Sequence, residues 1–154
     1  VINGQEQPTG GAYFGELAVE GMDAPAGSPR VARIDMTKAY DVPSLTSLHR
    51  TFTLHPDGTV EMEDAYAFSE PPTALQEAFV SYHDVAVAAD GRSAVVGSGD
   101  AKVTVHADED TAGVFAVEER PESVKQGTSG KLLRRLTFEP ATLSKAMKLR
   151  FRVM

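Results

Sequence analysis

The chain contains no cysteine and no tryptophan. Without cysteine there is no disulfide framework, no thiolate metal site and no thiol nucleophile. Without tryptophan, only four tyrosines and seven phenylalanines remain to stack on a sugar face, which weighs against a dedicated stacking platform. No apolar run approaches the ~20 residues that a membrane helix requires, so no membrane partner is expected. A Gly-rich phosphate loop and a Gly-x-Ser-x-Gly elbow are both missing, and ordinary nucleophilic catalysis is therefore unsupported. Helical periodicity is scarce too. Leu75 to Phe79 is the best stretch for a helix, yet the run through Tyr82 is short and aromatic and reads better as a strand.

What is present fits one domain over residues 1–154. At 42% hydrophobic residues, a chain of this length buries roughly 70% of the surface its unfolded form exposes. The start, Val1-Ile2-Asn3-Gly4, is neither an initiator methionine nor a charged region leading into an apolar stretch, and the expectation is a piece of a longer protein. The net charge of -7 disfavours nucleic acid, whose binding rests on neutralising phosphates with Lys and Arg. That charge is uneven: residues 1–119 hold 20 acidic and 6 basic side chains, and residues 120–154 hold 2 and 9. Lys131, Arg134, Arg135, Lys145, Lys148, Arg150 and Arg152 can form a surface for an acidic polymer. The plainer reading is a basic strand face beside acidic strands such as residues 61–64.

Residues 59–68 alternate with period 2, Val60, Met62, Tyr66 and Phe68 pointing one way and Glu61 and Glu63 the other, as a half-buried strand does. Residues 47–54 form the preceding strand, joined through His55-Pro56-Asp57-Gly58, so the pair is a hairpin. A second hairpin is expected from Asp84 to Ala88 and Arg92 to Gly97 around Asp90-Gly91. Further strands are expected at 13–19, 31–36, 75–82, 102–106, 114–118, 132–138 and 146–153. In the last, Met147, Leu149, Phe151 and Val153 face inward and Lys148, Arg150 and Arg152 outward. Loops with least order are expected at 21–29 and 121–130. About ten to twelve short strands with turn signals between them predict an all-β, antiparallel two-sheet sandwich.

Of the four histidines, His49, His55, His83 and His106, no two have the spacing of a dedicated zinc site. His83 at a strand end and His55 in a turn suit plain hydrogen-bonded or solvated roles. His49-Arg50 interrupts an apolar strand; the pair can grip an acidic sugar or bind Glu61 or Glu63 across the hairpin, the second being favoured. Glu61, Glu63 and Asp64, like Asp108-Glu109-Asp110, read as solvent faces or turns.

Residues 1–7, 34–40, 49–52 and 58–64, in that order, give a resemblance to a family. Val1 to Gln7 fits an apolar-Asn-Gly-x-x-Gln segment, Ile34 to Tyr40 an aspartate-led strand ending in Ala-Tyr, His49 to Phe52 an Arg followed by an apolar strand, and Gly58 to Asp64 a hairpin return ending in Asp. Over residues 1–120 the chain resembles the C-terminal part of heparinase II/III-like polysaccharide lyases. The resemblance implies a β-sandwich behind an N-terminal α/α-toroid of the same chain, with an acidic polysaccharide in the cleft between them and a periplasmic or secreted location. Such lyases cleave beside a uronic acid by β-elimination: a base takes the C5 proton, an acid protonates the leaving oxygen, and the sugar carboxylate is neutralised. The family's Tyr, Asn and His for these roles, and its metal-binding His and Asp, lie before the segment matching Val1. The resemblance therefore implies no catalytic residue, no metal ligand and no cofactor in this fragment, and allows a metal ion in the intact parent. Gln5 and Gln7 are the nearest cleft candidates, and with His49 and Arg50 they make up the expected substrate-binding set. The alternative is a stand-alone carbohydrate-binding or structural sandwich.

Overall fold

A computed structural model describes residues 1–121 and 130–154. Among them lie eleven strands: β1 (Glu16–Glu20), β2 (Arg30–Asp35), β3 (Leu45–Leu54), β4 (Val60–Phe68), β5 (Glu77–Ser81), β6 (Val85–Val87), β7 (Ser93–Ser98), β8 (Ala101–Ala107), β9 (Gly113–Arg120), β10 (Leu133–Pro140) and β11 (Ala146–Val153). The one helical element among the described residues is a single 3-10 turn at Thr37–Ala39. The strands build two antiparallel sheets, one of eight strands in the order β1-β2-β3-β4-β11-β8-β7-β6 and one of three in the order β5-β10-β9. The expected all-β sandwich is what is found, with unequal layers.

The β3–β4 hairpin forms as its turn residues dictate. Gly58 takes φ +89, its amide donates to the His55 carbonyl at 3.0 Å, and the Thr59 amide donates to Asp57 Oδ1 at 2.9 Å. A positive φ is what glycine accepts at no steric cost. The closed turn sets the register Leu54 opposite Val60 through Arg50 opposite Asp64. Because side chains alternate, that register sends Met62, Asp64, Tyr66 and Phe68 together to the buried face. Asp64 is 0% exposed, so the expectation of a solvent-facing carboxylate there is corrected. Its even-numbered position puts it in step with its apolar neighbours.

β11 inserts between β4 and β8. Leu149 and Phe151 are buried as the alternation predicts, while Lys148 and Arg150 both reach Glu63, at 2.9 and 2.6 Å, and Arg152 reaches Glu61 at 3.2 Å. The basic stretch is thus a strand face matched against its acidic neighbour. Between the sheets, Phe79, Phe115, Phe138 and Phe151 pack edge to face, with centroids 4.9 Å apart for Phe115 and Phe138 and 5.0 Å for Phe138 and Phe151, the geometry the aromatic quadrupole favours. Ile2, Leu48 and Leu136, each 1% exposed, complete the core.

Several strand bounds differ from expectation. The first begins at Glu16 rather than Tyr13, and residues 75–82 contract to β5. Most of the loop expected at 121–130 lies outside the described residues.

Candidate functional site

Where the aromatic core ends, the two sheets are joined by charge. Arg50 on β3 makes a bidentate pair with Asp64 on β4, Nε to Oδ1 at 2.7 Å and Nη2 to Oδ2 at 2.5 Å. The same Nη2 donates to Glu77 Oε2 at 2.7 Å. Glu77 belongs to β5 in the small sheet, so one guanidinium ties the layers together. Its other carboxylate oxygen accepts a hydrogen bond from the Tyr66 hydroxyl. Two carboxylates against one guanidinium leave one buried negative charge if both ionise, and that is costly in a water-poor interior. Burial, followed by the neighbouring Asp64 charge, pushes the Glu77 carboxyl up to about 7. Burial likewise pushes the Tyr40 hydroxyl up to about 12 and the Tyr66 hydroxyl well above its ordinary value. Glu77 can therefore hold or release a proton near neutral pH, and the two tyrosines stay neutral donors.

Arg50 and Glu77 of this cluster line an open cleft of about 500 Å³, together with Gln7, Met36, Tyr40, Val80 and Arg135 among others. Arg135 is engaged with Glu6 at 2.8 Å and with Gln76 at 3.2 Å. Two of the four expected substrate-binding residues meet here: Arg50 at the floor and Gln7 at the wall. Gln5 sits in a tight turn, its amide donating to the Ile2 carbonyl at 2.9 Å, and is exposed. His49 is one residue from Arg50 and so points through the opposite face of the sheet, where Nδ1 lies 4.0 Å from Asp35. The expected cross-strand partners Glu61 and Glu63 are corrected as well. Arg50 pairs with Asp64, directly opposite in the register, and Glu61 and Glu63 face the other way. Glu77, Tyr66 and Asp64 were not singled out as site residues. Parity signalled Asp64 and Tyr66, but no local pattern links Glu77 to residues 50 and 64.

A second depression, of about 260 Å³, lies on the outer face of the large sheet between Arg33, Thr51, Glu63 and Arg150, and its charges are largely matched across strands. Among the described residues no three His, Asp or Glu side chains come together as metal ligands.

No protein-family model matches the chain, and neither does any curated protein. Among solved structures, the fold is similar to part of the heparan sulfate lyase HepC from Pedobacter heparinus, with a TM-score of 0.69 at 11% identity. It is also similar to part of heparinase III, with a TM-score of 0.62 at 12% identity. In both comparisons 99% of this chain is covered, against 23% of the first lyase and 22% of the second. The chain spans less than a quarter of either, and what it shares with them is the fold.

Proposed function

We propose that the chain is a β-sandwich domain of a heparinase II/III-like polysaccharide lyase, supporting the cleft in which uronic-acid-containing polysaccharide is cleaved by β-elimination while the elimination residues lie elsewhere in a longer polypeptide. The observation that carries this reading is the end-to-end match of the chain to less than a quarter of two heparan-type lyases. The ionic network agrees with it. An elimination site needs a base over the C5 proton and a cation or donor set aimed at the substrate carboxylate. Here Arg50 and Arg135 are spent on Asp64, Glu77 and Glu6, and His49 points away from the cleft. Glu77 is an inter-sheet group lining the cleft, and Tyr66, which donates to it, is buried.

The test is the absorbance of unsaturated uronate with heparan sulfate as substrate. The 154-residue chain alone should produce none, and the longer polypeptide should produce it. Robust elimination by the 154 residues would refute a supporting role. The alternative, a stand-alone module binding acidic glycans through its basic tail, calls on seven cations, of which Arg134, Arg135, Lys148, Arg150 and Arg152 already pair with carboxylates of the fold.

A further inference from the structure

β1 and β2 carry the inner face of the large sheet beyond the buried core, to which no β1 residue belongs. The registers place Leu17 opposite Ile34, and Ile34 opposite Arg50; Val19 lies opposite Ala32, and Ala32 opposite Phe52. All of these share the face that bears Met62 and Asp64. Over β3 and β4 this face is covered by the core, but over β1 it is bare: Leu17 is 67% exposed and Val19 55%. The shelf continues toward Met36 and Val80 at the mouth of the cleft, and Val80 is 61% exposed.

The opposite face of the same strands is suited to water. Glu20 pairs with Arg33 at 3.2 Å and Glu16 with Lys38 at 3.6 Å. β1 is therefore written as a half-buried strand, polar on one side and apolar on the other, yet Leu17 and Val19 on its apolar side remain more than half exposed. The strand is also held closely in place. Gly21 has φ +75, and a Cβ there would lie 2.8 Å from the Pro29 carbonyl oxygen, so the link into β2 requires glycine. Ordering such a flap costs about 1–2 kcal/mol per residue of backbone entropy, which a two-stranded extension with a bare face does not recover by itself.

A second copy of the chain is a poor fit for this shelf, because a stable dimer engages about 20–30 residues on each side and the shelf has a handful. A domain joined covalently needs far less area, since the linkage supplies a high effective concentration. The two lyases that share the fold devote 23% and 22% of their chains to it. We infer that the apolar shelf of Leu17, Val19 and Ile34 on β1–β2 is the docking face for an apolar surface of a second domain in the same, longer polypeptide. This rests on the reading of the chain as a lyase domain and adds the face by which it is attached.

Hydroxyl-radical footprinting of the natural full-length polypeptide and of the 154-residue chain tests it. Labelling of Leu17 and Val19 should drop several-fold in the full-length protein, while Val103 and Val114, exposed elsewhere on β8 and β9, should label equally in both. Leu17→Lys should leave the melting temperature of the 154-residue chain unchanged and lower that of the full-length protein. Equal labelling of the shelf in both forms would overturn the inference. So would a natural polypeptide without a second domain, or a 154-residue chain that sediments as a dimer with its shelf protected. Full-length protein that protects the shelf but yields no unsaturated uronate would refute the lyase reading and leave the docking face standing. Elimination with an unprotected shelf would do the reverse.

Discussion

Replacing Glu77 by Gln removes one titrating proton from the buried cluster and leaves its shape nearly unchanged. In the wild-type chain the folded-state carboxyl titrates at about 7 against an ordinary value of 4.5, so between these values the native state holds more protons than the unfolded one. The stabilisation from this group is complete below pH 4.5 and is lost as pH rises through about 7. At ~1.4 kcal/mol per pH unit the loss amounts to about 3 kcal/mol. With its carbonyl accepting from Tyr66, the Gln amide turns its NH2 toward Arg50 Nη2, whose hydrogen bond to residue 77 is then lost. E77Q should therefore lack this pH dependence, lying below the wild type near pH 5 by about one lost hydrogen bond and gaining about 3 kcal/mol on it by pH 8. For a domain of this size each kcal/mol moves the melting temperature by about 2–4 °C, so the gap between the two melting temperatures should shift by about 6–12 °C in favour of E77Q between pH 5 and pH 8. Urea titrations of both proteins at half-unit pH steps give the difference curve, in which the histidines and the remaining carboxylates cancel. A curve that is flat from pH 5 to 8, or that shows the wild type gaining on E77Q as pH rises, would refute the account of a carboxyl held protonated by burial.

Arg50→Met keeps length and removes charge, leaving Asp64 and Glu77 facing each other without a cation; breaking a buried ion pair in this way should cost about 3–5 kcal/mol in urea unfolding at pH 7, with less loss at pH 5, where Glu77 is protonated. Phe138→Ala opens a cavity at the centre of the four-ring cluster and should also cost about 3–5 kcal/mol in urea unfolding at pH 5. Arg152→Ala removes an ion pair that is half exposed and should leave thermal stability unchanged within error. Heparin oligomers titrated into the 154-residue chain at low salt should bind no more tightly than at high salt, because the basic residues of β11 already have partners; strong binding that fades with ionic strength would favour a stand-alone glycan-binding module.

Alternation made the large sheet legible. Val60 to Phe68 and Ala146 to Val153 carry a period of two through their whole length, and the Pro-Asp-Gly and Asp-Gly turns fix where each hairpin reverses, so strands and hairpins follow from local pattern, while the basic strand is matched to the distant acidic one by complementary charge. The same rule reaches further than composition suggests. Asp64, polar and next to Glu63, reads as surface by residue type, yet it shares parity with Met62 and Tyr66 and therefore lies in the core. β1 shows the limit of the rule, since alternation correctly gives it one apolar side but says nothing about whether this chain supplies a cover.

The cluster itself was legible only in halves. Arg50 and Asp64 meet because a closed turn sets the register of adjacent strands, a local relation that sequence encodes. Glu77 meets them because β5 belongs to the other sheet, and the meeting depends on how β10, far along the chain, draws β5 across the core. No periodicity in residues 75–82 records that. The burial that raises Glu77 to about 7 is likewise a property of the assembled layers: the same carboxyl on an isolated hairpin would be solvated and ordinary. Inter-sheet chemistry of this kind belongs to topology, and a strand read alone yields the face of each side chain but not what that face meets.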